Sequence, residues 1–291
     1  MLDNLEALVA LAECGTMSKA ALRLSITQSA VSKRIANLQV QLGKPLVERS
    51  GRRVALTPYA LHILQRTRPL LGELREALSE EVADNTGQLS VAIGAAILIA
   101  WGAEVLAKVR QENPGLRLRI NTYRGPDAIE RVRSGEYMVG ICFGRSENTP
   151  DLEARYVVDE TIVIVPNQLR PFDFPTSGEV QVLTTAPQSE TWRFIERQIH
   201  RGERQWGVRI HVENTMESFQ AVTQMARVGF GHGLVTLGVA RAFGVPVEAL
   251  VRFPEPGLSI PISLYGRRST LARPLVQTFL ESLKRNLPEP N

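Results

Sequence analysis

The chain has 291 residues, with 34 lysine and arginine side chains, 30 aspartate and glutamate side chains and a formal net charge of +4. This length is too great for one typical domain and allows more than one hydrophobic core. No apolar run resembles a signal peptide or is long enough to span a bilayer, so we exclude a membrane-embedded protein and expect a soluble, cytoplasmic one. The two cysteines, Cys14 and Cys142, lie far apart in the sequence, which argues against a disulfide framework.

Two short helical patterns joined by a tight turn lie near the N-terminus. The first runs from Ser18 to Leu24, and the second begins after Thr27, whose hydroxyl suits a helix N-cap because it accepts a free backbone N–H. From Thr27 to Leu42 the apolar residues fall on one helix face. The polar residues on the other face, near the helix start, are Gln28, Ser29, Ser32 and Lys33. The pattern predicts a helix-turn-helix whose second helix reads base edges with its first turns. A small helical bundle with a solvated basic face is the alternative.

A basic segment from Lys44 to Pro58 follows the second helix. Its Ser50-Gly51 turn signal lies between short apolar runs and predicts a two-stranded wing. The arginines beside the turn, which we expect to contact phosphates or the minor groove, are Arg49, Arg52 and Arg53. Residues 1–60 carry eight basic and four acidic side chains. The whole net charge therefore lies on this segment, as expected of a DNA-binding domain.

The segment resembles the LysR-type transcriptional regulators. After an initial apolar helix, the resemblance is carried by Gly15-Thr16-Met17-Ser18-Lys19-Ala20-Ala21, Leu24, Thr27-Gln28-Ser29-Ala30-Val31-Ser32, Leu38, Leu42-Gly43, Pro45-Leu46, Glu48-Arg49 and Leu56-Thr57-Pro58. Four positions depart from the family pattern: Ser29 where proline is common, Gln39 where glutamate is usual, Val47 where phenylalanine is usual, and Ala60 where glycine often follows Thr-Pro. None of these departures removes a DNA-contacting donor. We expect DNA contacts from Thr27, Gln28, Ser29, Ser32, Lys33, Arg34, Arg49, Arg52 and Arg53.

A helical segment rich in leucine, arginine and glutamate runs from Pro58 to about Val82. Its leucines at seven-residue spacing, with one more three residues after the second, are Leu64, Leu71, Leu78 and Leu74. They predict an apolar seam, and the resemblance implies that this seam pairs antiparallel with the same helix of a second subunit. Packing of these leucines on the chain's own effector region is the alternative. Pro69 predicts a kink or break near Thr67, because proline lacks the interior helical donor.

Beyond Gly87, strands and helices alternate with the rhythm of a parallel sheet covered by helices. The predicted strands are Leu89–Ile93, Leu116–Asn121, Tyr137–Phe143, Val157–Pro166, Val180–Thr184, Val208–Val212 and Ile260–Tyr265. The predicted helices are Ile99–Gln111, Asp127–Arg133, Glu190–His200, Met216–Val228 and Thr270–Leu287. The rhythm restarts after the Pro171–Gly178 loop, which indicates a second lobe.

The resemblance implies an N-terminal all-α winged helix-turn-helix, a long linker helix, and an α/β two-lobed effector domain like that of periplasmic binding proteins. We place the DNA-binding domain at residues 1–60, the linker at 61–86 and the effector domain at 87–291. The first lobe would comprise 87–163 and 264–291, and the second 164–263. Crossovers between the lobes are expected near Thr161–Pro166 and Ile260–Gly266.

Ligand groups in the cleft between such lobes come from loops at the strand ends, where helix N-termini offer free N–H groups to an anion. The candidates are Ala95, Ala96, Ile97, Tyr123, Arg124, Phe143, Arg145, Thr191, Trp192, Thr215 and His232. The turn after the first strand lacks the hydroxyl with which the family often binds a carboxylate, which indicates an apolar wall with backbone donors. Thr215 also suits a helix cap, and His232, beside Gly231 and Gly233, also suits a structural role. Cys142 is expected to be a buried core residue, with a reactive thiol as the alternative.

Two functional classes fit the sequence. The first is a sequence-specific DNA-binding regulator in which a small molecule in the cleft shifts a conformational equilibrium. Its expected partners are double-stranded DNA, an effector that is an organic anion with an apolar body, and further copies of the chain in a homodimer or homotetramer.

The second class is a two-lobed enzyme or transport-type binding protein with a structural N-terminal segment. A transport protein would carry an export signal, and none is present. The only conceivable nucleophile and base, Ser189 with His200 or His211, have no supporting motif. The histidines lack metal-ligand spacing, so we expect no metal and no cofactor.

Overall fold

The computed structural model describes residues 1–50, 53–78, 87–144, 151–185 and 189–288. The chain divides into two compact units, Met1–Leu78 and Ser79–Asn291. Within the described ranges, no helix combines the length and the apolar character that crossing a membrane requires.

Unit 1 carries the predicted helix-turn-helix. Its elements are α1 (Leu2–Cys14), α2 (Met17–Leu24), α3 (Gln28–Leu42), β1 (Val47–Ser50), β2 (Arg53–Leu56) and α4 (Pro58–Leu78). Ser25 adopts the left-handed conformation that turns the chain between α2 and α3, with φ of 54°. Thr27 caps α3, because its Oγ1 accepts the Ala30 N–H at 3.2 Å. The predicted N-cap and turn are confirmed.

The two strands after α3 form the predicted wing. β1 and β2 pair antiparallel, with Arg49 opposite Val54 and Ser50 opposite Arg53. Residues 51 and 52, on which the predicted turn and Arg52 fall, lie outside the described residues.

The prediction of a free leucine seam on α4 is wrong for Leu64 and Leu71. Both are buried in a cluster that includes Leu8, Val9 and Leu38 of unit 1. Heptad spacing marks one face of a helix, but it does not say which neighbour covers that face. The domain beneath these leucines is the helix-turn-helix itself.

Of the kink or break predicted near Thr67, the break is wrong. α4 continues as one helix from Pro58 to Leu78. Here Thr67 donates its hydroxyl to the Ile63 carbonyl oxygen at 2.8 Å. The loss of one interior hydrogen bond at Pro69 does not end a helix that tertiary packing stabilises.

Unit 2 alternates strands and helices. Its strands are β3 (Gly87–Gly94), β4 (Leu116–Tyr123), β5 (Val139–Phe143), β6 (Glu153–Val165), β7 (Gly178–Thr185), β8 (Val208–Met216), β9 (His232–Thr236), β10 (Val251–Arg252) and β11 (Ser259–Gly266). Its α-helices are α5 (Ala95–Ile97), α6 (Ala103–Glu112), α7 (Gly125–Arg133), α8 (Glu190–Trp206), α9 (Phe219–Val228), α10 (Leu237–Ala242), α11 (Arg268–Leu271) and α12 (Pro274–Arg285). A π turn, Leu98–Gly102, joins α5 to α6, and 3₁₀ turns occur at Asn167–Leu169 and Val247–Ala249.

The strands of unit 2 form one sheet in the order β4-β3-β5-β11-β6-β9-β7-β8, with β10 added to β6. β3, β4 and β5 are parallel to one another, and so are β7, β8 and β9. β6 pairs antiparallel with β11 over Glu153–Thr161 and with β9 over Ile162–Val165. This one strand therefore belongs to two half-sheets, and each half-sheet has its own buried core. The predicted two-lobed α/β architecture is confirmed.

Some element boundaries differ from the prediction for local reasons. β8 runs to Met216, so the helix predicted from that residue begins at Phe219. The predicted helix Thr270–Leu287 is divided at Arg273, because Pro274 begins a new helix. β9 and α10 were not predicted, since the closely spaced glycines before them indicate only a turn. Gly229 does end α9, with φ of 107°, but the chain then enters the sheet directly.

A buried carboxylate joins the π turn, β6 and α10. Glu160 of β6 accepts the Gly238 backbone N–H at 2.7 Å and the Trp101 indole N–H at 3.2 Å. Burial raises the pKa of the Glu160 carboxyl, while the two N–H donors favour its charged form. The carboxylate thus ties elements from both half-sheets to the strand that they share.

Candidate functional site

The start of α3 presents a row of polar side chains to solvent. Gln28, Ser29, Ser32 and Lys33 are all exposed. The opposite face of the helix is fixed, because its residues are buried in the core of unit 1: these are Val31, Ile35 and Leu38. A helix held this way can enter a groove with its first turns without repacking.

Hydrogen bonds order the polar side chains at the turn. Ser18 of α2 donates its hydroxyl to Gln28 Oε1 at 3.0 Å. The Thr27 and Ser29 hydroxyls lie 2.9 Å apart, so Thr27 serves both as the helix cap and as a partner of Ser29. These contacts already restrict the rotamers of the side chains. Less side-chain entropy is therefore lost when the helix binds DNA.

The remaining predicted DNA contacts are placed differently. Arg34 points towards α1, where its Nη2 lies 3.3 Å from the Asp3 carboxylate, so it does not join the exposed row. Arg49 and Arg53 lie on the wing strands, but their side chains are outside the described residues, as is the whole of Arg52.

Gln39 holds the base of the wing, a role that the sequence did not indicate. Its Oε1 accepts the Leu46 N–H at 2.8 Å and the Val47 N–H at 3.3 Å. Thr57 donates its hydroxyl to the Pro45 carbonyl oxygen at 2.9 Å, which closes the other side of the wing. Gln39 is one of the four departures from the family pattern, and its amide oxygen supplies the acceptor that these backbone donors need.

Unit 2 contains a cleft of about 380 Å³ at the carboxyl ends of its parallel strands. Four helical segments begin at its walls: α5, α7, α8 and α9. The lining residues are Gly94, Ala95, Ala96, Thr122, Tyr123, Arg124, Gly125, Pro126, Cys142, Phe143, Thr185, Ser189, Thr191, Glu217, Ser218, Phe219 and Gln220. Helix N-termini carry unpaired N–H groups and partial positive charge, so their convergence favours an anionic ligand group.

The polar lining has few charges. Arg124 is the basic side chain and Glu217 the acidic one among the described lining residues, and both are exposed. Ser189 and Ser218 are helix caps, because their hydroxyls accept the Trp192 and Ala221 N–H groups at 3.0 and 3.3 Å. The rest of the wall is largely apolar.

The structure brings six of the predicted ligand residues to this cleft: Ala95, Ala96, Tyr123, Arg124, Phe143 and Thr191. Ile97 and Trp192 instead belong to the cores of the first and second lobes. Thr215 is half-buried at the end of β8, outside the lining. Arg145 lies outside the described residues.

His232 has a structural setting away from the cleft lining. Its Nδ1 accepts the Asn167 N–H at 3.3 Å, and its ring lies 4.2 Å from that of Phe172. Burial lowers the pKa of His232, which favours the neutral ring that this acceptor role requires.

Cys142 is buried and lines the cleft. Its Sγ contacts the Gly125 carbonyl oxygen at 3.8 Å. In the described residues, no group of three or more histidine, cysteine, aspartate and glutamate side chains is arranged to hold a metal ion.

Sequence reasoning missed much of the second lobe's contribution. Thr185, Ser218, Phe219 and Gln220 all line the cleft. The sequence does contain a signal for Ser218, Phe219 and Gln220, because serine is a good helix N-cap and the residues after it begin a helix. Thr185 has no such signal, since it is simply the last residue of a buried strand.

Comparisons with known proteins agree over the full chain. A model for "LysR substrate binding domain" matches residues 83–288, and one for "Bacterial regulatory helix-turn-helix protein, lysR family" matches residues 2–61. An "Uncharacterized HTH-type transcriptional regulator" of Vibrio cholerae is 27% identical over 292 residues, covering 99% of this chain and 97% of that one. The "HTH-type transcriptional activator IlvY" of Salmonella typhimurium is 24% identical over 296 residues, covering 97% and 99%.

The same fold occurs in a solved structure. A full-length OxyR variant from Pseudomonas aeruginosa superposes with a TM-score of 0.67 at 16% identity, covering 99% of this chain and 98% of that one. At this identity the likeness concerns the fold alone.

Proposed function

This chain belongs to the LysR family of transcriptional regulators, DNA-binding proteins that respond to small-molecule effectors, and we propose which of its residues bind DNA and which bind the effector. The proposal rests first on one observation. The polar side chains on the first turns of α3 are exposed, while the opposite face of the helix is buried. That arrangement suits a recognition helix.

Gln28, Ser29, Ser32 and Lys33 read base edges in the major groove. Amide, hydroxyl and ammonium groups all make hydrogen bonds to base edges. Thr27 positions this row by capping α3, and Arg34 stabilises the unit through Asp3 rather than contacting a base. The wing arginines Arg49, Arg52 and Arg53 are proposed to contact the DNA backbone or the minor groove.

The double variant Ser32→Ala/Lys33→Ala tests base readout. We expect it to weaken binding to the operator roughly tenfold to a hundredfold, since a good base contact supplies about 1–3 kcal/mol of discrimination. Binding to random duplex should weaken much less. Fluorescence anisotropy at matched salt measures both affinities. Gln41→Ala is the control, because Gln41 is exposed on the last turn of the same helix.

Equal losses on operator and random DNA for the double variant would contradict base readout by α3. Arg53→Ala provides the contrasting case. A phosphate contact carries no sequence information, so we expect this variant to weaken both duplexes alike and to reduce the salt dependence by about one ion per contact.

We propose a homo-oligomer, a dimer or a tetramer, joined through α4 by a seam that shares only Leu74 with the one that the leucine spacing predicts. Ile63, Thr67, Leu70 and Leu74 follow the 4-3-4 spacing of a coiled-coil stripe. Leu70 and Leu74 are 61% and 41% exposed in the single chain. Leu64 and Leu71 are already buried in unit 1, so they are not available to a partner helix.

The cleft of unit 2 is the proposed effector site, and the effector carries an anionic group and an apolar body. The convergent helix N-termini and Arg124 would attract the anion, while Ala95, Ala96 and Phe143 line an apolar wall. Tyr123 and Thr191 are further proposed contacts. Ile97 and Trp192 are proposed to support the site from the cores, and Arg145 stays a sequence-based proposal.

We propose that the chain is not an enzyme. Its relatives are named transcriptional regulators, and the pairing considered from sequence has no support. Ser189 caps α8, and His200 Nδ1 lies 3.3 Å from the Glu203 carboxylate. The site of action is proposed to be the cytoplasm, where bacterial DNA lies.

The proposed domains are a DNA-binding domain at 1–60, a linker at 61–86 and an effector domain at 87–291. Within the last, we assign the crossover strands by their pairing. β11 pairs with β6 from Ser259 and with β5 from Ile262, so the second lobe is proposed to end at residue 258 rather than 263.

A further inference from the structure

Thr185 lines the cleft and carries a buried hydroxyl that the rest of the described chain leaves unpaired. The residue is 7% exposed, its Oγ1 is buried without a hydrogen-bond partner among the described residues, and it lines the cleft. An unsatisfied buried hydroxyl destabilises a fold unless a ligand or water supplies the partner. The neighbouring Thr184 faces the other side of the sheet and donates its hydroxyl to the Leu234 carbonyl oxygen at 3.3 Å.

The surroundings of Thr185 favour a carboxylate as its partner. α8 and α9 begin at the same wall, capped by Ser189 and Ser218. Their free N–H groups and positive dipole ends attract negative charge. Arg124, at the start of α7, adds a guanidinium to the same cleft.

A negative side chain lies beside this anion-attracting wall. Thr185 pairs with Met216 in the parallel β7–β8 ladder, and Glu217 is the next residue after Met216. Glu217 lines the cleft and is exposed. The lining therefore combines a hydroxyl, which suits a carboxylate, with a carboxylate, which suits a cation.

Apolar side chains form much of the remaining wall. Phe143 and Phe219 meet edge to face, with ring centroids 6.1 Å apart, and Ala95 and Ala96 lie in the same lining. A cleft of about 380 Å³ is at the small end of ligand sites. It suits a ligand with a short apolar body and a compact head that carries both charges.

We propose that the effector is an α-amino acid with an apolar side chain, whose carboxylate accepts the Thr185 hydroxyl and whose ammonium group is bound by the Glu217 carboxylate. An α-amino acid carries both charges on one compact head group, so a single ligand offers a partner to each of these two lining residues. This inference rests on the proposed function, in which the cleft holds the effector, and it replaces a simple organic anion with a zwitterion.

Isothermal titration of the full-length chain tests the head group. The probes are L-alanine, L-valine, L-leucine, L-isoleucine, L-methionine and L-phenylalanine, each beside its deaminated carboxylic acid and its decarboxylated amine. We expect at least one amino acid to bind at least about tenfold more tightly than both analogues, since each loses a charge-assisted contact.

Matched variants locate the two contacts. Thr185→Val should weaken the binding of that amino acid roughly tenfold to a hundredfold. Its urea midpoint should stay the same or rise, because an unpaired hydroxyl is removed. Thr184→Val should do the reverse, lowering stability and leaving affinity unchanged. Glu217→Gln should weaken the binding of the amino acid but not that of the deaminated acid. Glu213 is exposed on β8, outside the cleft lining, so Glu213→Gln should change neither affinity.

Three results would overturn the proposal. If the deaminated acids bind as tightly as the amino acids, the effector is an anion and Glu217 has no part in its recognition, although the cleft remains an effector site. If an amino acid binds equally to wild type, Thr185→Val and Glu217→Gln, the contacts are wrong. If no probe binds at millimolar concentration, the amino acid assignment fails, and the operator-binding assay on the α3 variants still tests the regulator function separately.

Discussion

Gly238 lies where α10 packs against the π turn before α6. A Cβ at this position would lie 2.5 Å from the Ala100 Cβ and 2.9 Å from Glu160 Oε1. The Gly238 N–H also donates to the same carboxylate at 2.7 Å. We expect Gly238→Ala to destabilise unit 2, because a methyl carbon on Ala100 has no rotamer that would relieve the contact.

The magnitude follows from three effects. Overpacking by one methyl group costs about 1–3 kcal/mol. Weakening a hydrogen bond to a buried carboxylate costs up to about 1.5–3 kcal/mol. Replacing glycine by alanine in a helix stabilises the helix by up to about 1 kcal/mol. The expected net loss is about 1.5–5 kcal/mol in the free energy of unfolding.

Urea unfolding of wild type, both single variants and the Gly238→Ala/Ala100→Gly pair measures this contact. Removing the Ala100 methyl group should restore part of the loss, with a coupling of about 1–3 kcal/mol. A wild-type midpoint for Gly238→Ala, or strictly additive effects in the pair, would refute the close approach of α10 and the π turn.

Three further predictions concern other parts of the chain. Gln39→Ala should lower the stability of unit 1 by about 1–3 kcal/mol, because two backbone N–H groups of the wing lose their acceptor. Gln39→Glu, which keeps the acceptor, should retain the urea midpoint, and equal losses in both variants would argue against this role. Hydrogen bonds lower the pKa of Glu112 from 4.5 to about 2, and the bond from Ser282 makes the largest contribution. The Glu112 carboxylate therefore stabilises the fold above pH 4.5, and this contribution is lost as the pH falls towards 2. Urea titrations across that range should show a shallower acid loss for Glu112→Gln, and parallel curves would disprove the linkage. Leu70→Asp should shift sedimentation towards monomer whereas Leu61→Asp, on the opposite side of α4, should not; dissociation by both would rule out the proposed seam.

Local signals explain what the sequence predicts well. The start of α3 depends on the Thr27 hydroxyl and its own helix, and both lie within a few residues. The wing depends on two short apolar runs that pair with each other. Such features need no knowledge of distant neighbours.

Long-range packing explains what it predicts poorly. The leucine seam of α4 fails because Leu64 and Leu71 are covered by unit 1, a fact that the spacing of leucines does not contain. β9 is missed because its place in the sheet is set by pairing with β6 and β7, far away in sequence. The glycines before it indicate a turn and nothing about the strand that follows.

Position within the first helical turn decides which candidates reach the cleft. Ala95 and Ala96 are the first two residues of α5 and line the cleft, whereas the third, Ile97, points into the core. The same holds in α8, where Thr191 lines the cleft and the next residue, Trp192, is buried.

The reason is geometric. Successive residues of a helix are rotated by about 100°, so when the first two face the ligand, the third turns towards the sheet beneath. This rule also selects Phe219 and Gln220, the first two residues of α9, which residue type alone did not. It does not select Thr185, whose position at the cleft follows from strand pairing. The amino acid proposal therefore depends on a lining hydroxyl that only the folded structure identifies.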